Sequence, residues 1–475
     1  MRLFDGNHPG TGEQLGRRLR TDGVAAWDVT FSADKSVSLL WALGDELTRK
    51  EVLEAFEEAT SQAFGYLESV ASSTRGATKT PVIDKDGNRV RGRDGRPAYR
   101  VETWPIATSG YVAAAFTEYT SRADDPQLHT HVVIANKVKG EDGVWRTIDG
   151  RLLYRHQLAA GYLHEAVLRR ELTQRLGLRW QPVHHGVADI AGFTRDQIEV
   201  FSQRRQQLET WRQANDLPDT AAARQIAVIA TRHGKTGRSL GALEAVWQRR
   251  AAEVGLTPER IDRIVDCSRR VTAADVDALF ADLASPDGLT AHKSTFATPE
   301  VIQQIAAALP EGGTRAEVEA LADSFLAGGE IIPLLPSPEL TTAEPAEADS
   351  IVEPTHRVSV EEATEPPMRT REGKPFPAPT LPSYTTAELL ATEQRIIERA
   401  MAGVGEGRWQ APRRLVETWL RNRPELTDGQ RQMVRSFATS GNTVDVGIGP
   451  AGSGKTAVIA VINQLATLTR RPIVG

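Results

Sequence analysis

A single cysteine, Cys267, in 475 residues rules out an internal disulfide framework and any Cys-rich zinc site. No apolar run approaches the ~18 residues of a membrane span, and Met1 is followed by Arg-Leu-Phe-Asp in place of a basic and then apolar leader. The chain is expected to be cytoplasmic, without membrane insertion. What it does have is 40% hydrophobic and 25% charged residues, a globular composition, at a length that predicts two or three domains.

An excess of basic charge is also missing. The net charge is −5, yet residues 334–382 alone hold nine acids against four bases, which leaves the remainder near zero. Any face that binds nucleic acid must then be a local patch. The same 49 residues carry ten prolines and almost no aromatics. Such a composition cannot offset the entropy of ordering, and it predicts a disordered linker.

Before the linker, strands are expected at 24–31, 111–119 and 128–138, with helices near 46–70, 155–177, 195–214, 218–233, 238–254, 271–284, 298–308 and 314–326. Leu168, Leu172 and Leu176 lead to Gly177 as a helix with one buried stripe and a glycine stop should. After the linker, 384–403, 410–421 and 427–438 read as helical and 443–448 as a short apolar strand.

Chemistry enters with Leu128-His129-Thr130-His131. Histidines at i and i+2 on a strand share a face and can reach one ion, although surface polar alternation gives the same spelling. Glu118 precedes the pair across an Asp124-Asp125-Pro126 turn that would fold its strand back beside them. Two imidazoles and a carboxylate leave open the coordination positions a catalytic ion needs; an exposed strand glutamate is the alternative. In Trp27-Asp28-Val29-Thr30-Phe31, alternation sets Asp28 and Thr30 on one face. Asp28 is either a structural acid at a sheet edge or a carboxylate that orients or accepts a proton.

These segments, Asp28-VTFSADKSVS, Thr120-SRADDPQLHTHVVIAN and Leu289-TAHKSTF, resemble in order the motifs of MobF-type conjugative relaxases, the TrwC/TraI family. The resemblance covers residues 3–330, and from Tyr384 onward the chain resembles the start of the fused helicase. It implies an HUH fold in which His129 and His131 hold a divalent metal (Mn²⁺, Mg²⁺ or Zn²⁺) against a scissile phosphate of single-stranded DNA at the transfer origin. A tyrosine near the amino terminus then attacks. It also places Asp28 where an aspartate assists that tyrosine, and implies other relaxosome or conjugation-apparatus proteins as partners. Arg122 and Lys35 become phosphate contacts or else solvated charges.

The sequence departs from that pattern at three points. Glu118 stands where a third histidine is common, giving two nitrogens and one oxygen and favouring harder ions. Asp34 replaces a common proline and adds negative charge near the supposed DNA groove. The seven tyrosines are Tyr66, Tyr99, Tyr111, Tyr119, Tyr154, Tyr162 and Tyr384, all after Asp28. The family's nucleophile and first strand are therefore expected upstream of this segment, and the chain is expected to be incomplete. Tyr119 cannot replace the nucleophile if Glu118 faces the metal, because successive strand residues face opposite sides.

Gly449-PAGSGK-Thr456 satisfies the P-loop pattern. Backbone N–H groups around Gly449, Gly452 and Gly454 would wrap phosphates, Lys455 would neutralise them, and Thr456 would hold Mg²⁺ of ATP. Gln430 contacts the adenine base or is helix surface. One strand, its loop and one helix cannot build a doubly wound core, so 440–475 is expected to be poorly packed and to bind ATP weakly if at all.

The expected architecture is thus α+β. An HUH-like antiparallel-sheet relaxase domain spans 1–290 and a helical annex 291–333. The disordered linker is 334–382, and 383–475 is the N-terminal fragment of a superfamily 1 P-loop α/β helicase. The competing functions are a non-cutting, single-stranded origin DNA-binding module and, on the 2-His-1-carboxylate set alone, a non-haem iron oxygenase.

Overall fold

Alternating polar and apolar residues set the strands of the first unit. These include β1 (Ala26–Ser32), β2 (Ser73–Pro81), β3 (Tyr99–Ala107), β4 (Ala113–Thr120) and β5 (Pro126–Ala135). The computed structural model describes all residues except 1, 20–22, 86, 92–95, 233, 235–236, 266–273, 335–380, 408, 449–453 and 471–475. Two units are distinguished, Met1–Ile331 with Glu362–Tyr384, and Ile332–Glu361 with Thr385–Gly475.

β5 lies between β1 and β4, antiparallel to both. Its even-numbered residues Leu128, Thr130, Val132 and Ile134 are buried. They face a core built with helices α1 (Lys35–Leu43), α2 (Glu46–Ala71) and α3 (Gly150–Leu176). Phe31 of β1 stacks on His164 of α3 at 5.3 Å, and Phe56 of α2 meets the same ring edge-on. Each such buried side chain contributes roughly 1.5–3 kcal/mol, and together they leave one sheet face for chemistry.

The expected strands 24–31, 111–119 and 128–138 are present within two or three residues. α3 ends at Gly177 with φ +63, as its leucine stripe indicates. The single helix expected over 195–214 is two, Arg195–Val200 and Gln203–Ala214. The break has a tertiary cause: the buried Asp125 carboxylate accepts from the Gln203 backbone N–H at 2.8 Å and so caps a new helix. The β2–β3 ribbon has no apolar period to reveal it, because both strands are largely exposed. Its tightest point is Gly76, over which Trp104 of the opposite strand lies where any Cβ would stand. At the far end of this unit, Ser383 and Tyr384 pair with Ala297 and Phe296.

The expected linker falls, for 335–380, outside the described residues. In the second unit, helices span Ala387–Ala402, Arg413–Arg421, Asp428–Ser440 and Lys455–Leu468. Two expectations are corrected here. Residues 443–448 form no strand; without a neighbouring strand to pair with, Val446 and Ile448 are 78% and 90% exposed. Helix Lys455–Leu468, by contrast, is well packed, with Val458, Val461, Ile462 and Leu465 buried against Val416, Leu420, Leu426 and Val434. The reasoning considered only helix on sheet, whereas this helix finds its core on other helices.

Candidate metal centre

The register of the β1-β5-β4 sheet assembles the site. Across β5, His129 is paired with Glu118 of β4 and with Ser32 of β1, and His131 with Phe116 and Thr30. Paired residues point to the same side, so the histidines, Glu118, Thr30 and Asp28 share one face. The Asp125 turn that folds β4 back is held by Ser121 and Asp124, whose N–H groups donate to Asp125 O at 2.9 Å and Ser121 O at 3.1 Å.

The imidazole centroids are 5.3 Å apart. Nδ1 of His129 donates to the Gln127 carbonyl at 2.9 Å, which leaves Nε2 as a lone pair 3.3 Å from the Glu118 carboxylate. A lone pair facing a carboxylate calls for a cation or a proton between them. Nδ1 of His131 lies 3.0 Å from each Asp28 carboxylate oxygen and 3.0 Å from Thr30 Oγ1. This partnership frees Nε2 of His131 and fixes its ring, the carboxylate–histidine arrangement found behind metal ligands. One ligand atom from each of Glu118, His129 and His131 lies within 4.8 Å of the others, all three residues half-buried. Two imidazoles and one oxygen fit a divalent ion with open positions. Sequence reasoning placed Thr30 on this face but gave it no task, and it missed the Gln127 carbonyl, which no side-chain pattern reveals.

Other candidate residues stand elsewhere. Lys35, at the start of α1, donates to the Pro126 carbonyl at 2.6 Å, and burial lowers its pKa to about 8 against the opposing pull of Asp125. Its ammonium is engaged within the protein instead of being offered to a phosphate. Asp34 caps α1, accepting from the Ser36 and Val37 N–H groups at 2.6 and 3.2 Å. Burial, with Glu165 nearby, pushes its carboxyl well up, so its charge is turned inward. Arg122 sits half-buried in the Asp125 turn, close enough that its charge, after burial, lowers the pKa of Arg204.

None of the seven tyrosines has a described contact with the cluster. Tyr119 stacks on Trp41 at 4.9 Å, on the opposite face from Glu118, as strand alternation requires. Tyr66 donates to His156 Nδ1 at 2.7 Å, both buried. Tyr111 is pushed up by burial, Tyr154 meets Trp27 edge-on, and Tyr384 stacks on Phe296. Tyr162 lies beneath Gly186, and Tyr99 is exposed on β3.

In the second unit, Gly449 and Gly452 lie outside the described residues. Gly454, at φ +76, opens helix Lys455–Leu468, so that Lys455 and Thr456 form its first turn, the position in which a P-loop presents N–H groups. Gln430 accepts from Thr427 N–H at 2.9 Å in a capping box, and its Nε2 lies where a Gly454 Cβ would be. Gln430 is therefore both a helix cap and a neighbour of the loop.

A TrwC relaxase family model matches residues 1–93 and 95–254, and an AAA domain model matches residues 425–475. The multifunctional conjugation protein TraI of Escherichia coli strain K12 is 28% identical over 361 residues, which is 70% of this chain and 18% of TraI. A second E. coli TraI is 26% identical over 356 residues. The chain spans less than a fifth of the length of these relatives, 18% in each case. Similar solved structures include the metal-free conjugative relaxase TrwC in complex with oriT DNA, 31% identical at a TM-score of 0.43, covering 54% of this chain and 81% of that one. The copper-bound TrwC complex is 30% identical at the same TM-score of 0.43, covering 54% and 80%.

Proposed function

The chain belongs to the TrwC relaxase family, and on that premise we propose that it carries the metal- and DNA-holding part of a conjugative relaxase acting on single-stranded DNA at a transfer origin, fused to an ATP-dependent helicase. The observation that carries this reading is the convergence of Glu118, His129 and His131, with Asp28 on the outer nitrogen of His131. Glu118, His129 and His131 would hold a divalent ion, and the ion, when bound, would polarise a scissile phosphate. Gln127 and Asp28 fix the two rings so that each keeps Nε2 toward the ion, and the oxygen of Glu118 favours Mn²⁺ or Mg²⁺ over softer ions. Arg122 and Arg204 bring positive charge to one end of the sheet. The β2–β3 region, residues 73–107, adds eight bases against four acids, with Tyr99 and Trp104 exposed along it. A two-stranded basic ribbon suits a nucleic-acid groove.

Within the same reading, residues 1–290 form the relaxase domain, 291–333 its helical annex and 334–382 a disordered linker. Residues 383–475 begin a P-loop helicase domain whose Gly449, Gly452, Gly454, Lys455 and Thr456 cradle ATP–Mg²⁺, with Gln430 at the base. The AAA match at 425–475 and the Gly454 turn support this. Other conjugation-apparatus proteins would be its partners.

The placement of the tyrosines away from the cluster favours a second reading, in which this chain holds origin DNA without cutting it. Supercoiled plasmid bearing the cognate origin, incubated with the chain and Mn²⁺, separates the two: nicking supports cutting by this chain, and intact plasmid supports holding. In both cases single-stranded origin DNA should be retarded in a gel with steep salt dependence. No retardation at low salt would refute both.

A further inference from the structure

Phe116 is an apolar ring with no place in the core. It is 57% exposed at mid-strand in β4, and its register partner is His131. It therefore rises from the same face as the candidate metal ligands, with cross-strand Cβ atoms separated by about 4.5–5.5 Å. Glu118 follows it on the same side of β4, and the small Ala114, opposite Val133, precedes it, so no bulky neighbour crowds the ring from that end. Folding alone gives no reason to hold a phenyl ring in water beside a polar cluster, because every apolar neighbour it could join is on the other face of the sheet.

We infer that Phe116 is a base-stacking platform that positions one nucleotide of single-stranded DNA so that an adjacent phosphate meets the Glu118–His129–His131 cluster. The proposal rests on the reading that this cluster handles nucleic acid. Single-stranded nucleic acid offers both a flat π face and an anionic phosphate within one residue, matching the two surfaces placed side by side here. Stacking on aromatics is tolerant of sequence, so Phe116 sets the distance of the strand from the cluster and leaves the choice of sequence to other contacts. It is a positioning residue.

The test uses the full chain and a twenty-nucleotide oligothymidylate carrying one central 2-aminopurine, whose fluorescence is quenched on stacking, with Mn²⁺ binding followed separately. Phe116→Ala should weaken the oligonucleotide about tenfold and abolish the quenching while Mn²⁺ affinity stays unchanged. Phe116→Trp should restore both DNA readouts, whereas Phe116→Leu, apolar and without a π face, should not. If wild type binds the strand and Phe116→Ala binds it equally with unaltered quenching, the platform is refuted and the DNA-handling reading survives. If wild type binds Mn²⁺ but no single strand, the reading itself fails and the platform with it.

Discussion

Removing Asp28 tests whether the sheet was built around a cation. Both of its oxygens lie 3.0 Å from His131 Nδ1, and Thr30 Oγ1 reaches the same nitrogen at 3.0 Å. Loss of an outer-shell partner typically weakens metal binding 10–100-fold. Two features put Asp28→Ala at the low end: its side chain is 55% exposed, so water replaces part of the interaction, and Thr30 remains as an acceptor. We expect about tenfold weaker Mn²⁺ binding, about 1.4 kcal/mol. Thr30→Val alone should change little, because Asp28 keeps the ring. The double variant removes both acceptors, and its loss should exceed the sum of the single losses, approaching a hundredfold (about 2.7 kcal/mol). Titration of Mn²⁺ by electron paramagnetic resonance reads all four proteins directly. The reasoning is refuted if the double variant binds like wild type, or if Thr30→Val costs more than Asp28→Ala.

Three further predictions concern the scaffold. Burial lowers the His156 pKa from 6.5 to about 4, so the folded chain keeps it neutral while the unfolded chain takes up a proton. Stability should fall as pH drops from about 6.5 to about 4, and His156→Gln should remove nearly one proton from the slope of urea stability against pH over that window. Arg250 donates to the buried Asp125 carboxylate at 2.9 Å, so Arg250→Ala leaves a buried charge short of a partner. A loss of about 3 kcal/mol is expected by chemical denaturation, and a change below about 1 kcal/mol would mean that Lys35 and Gln203 suffice. Gly312 has φ +75, and a Cβ there would collide with the Ala166 carbonyl of α3. Gly312→Ala should therefore destabilise by at least ~2 kcal/mol, read as a lower melting temperature.

How far the site was legible in the sequence follows from which physical rule controls each residue. The period of a strand is two whatever surrounds it, so His129 and His131 could be put on one face, and Tyr119 on the other, from spacing alone. The partnership of Glu118 with His129 required a register, which a short turn between the strands constrains strongly. Lys35 and Asp34 were misplaced because their neighbours decide their roles. The sequence Ala33-Asp34-Lys35-Ser36 reads equally as a charged loop at a groove or as the capped start of a helix. Only α1 packing on the buried side of β5 turns Asp34 into its cap and brings Lys35 to the Pro126 carbonyl. The same argument covers the broken helix at Gln203, whose cap comes from Asp125, seventy-eight residues away, and the β2–β3 ribbon, where solvent on both sides erases the apolar period. Phe116 is the instructive middle case. Its face was fixed by the same alternation that located Glu118, but a phenylalanine in a strand is ordinarily core, and only its measured exposure converts an expected packing residue into one available to a substrate.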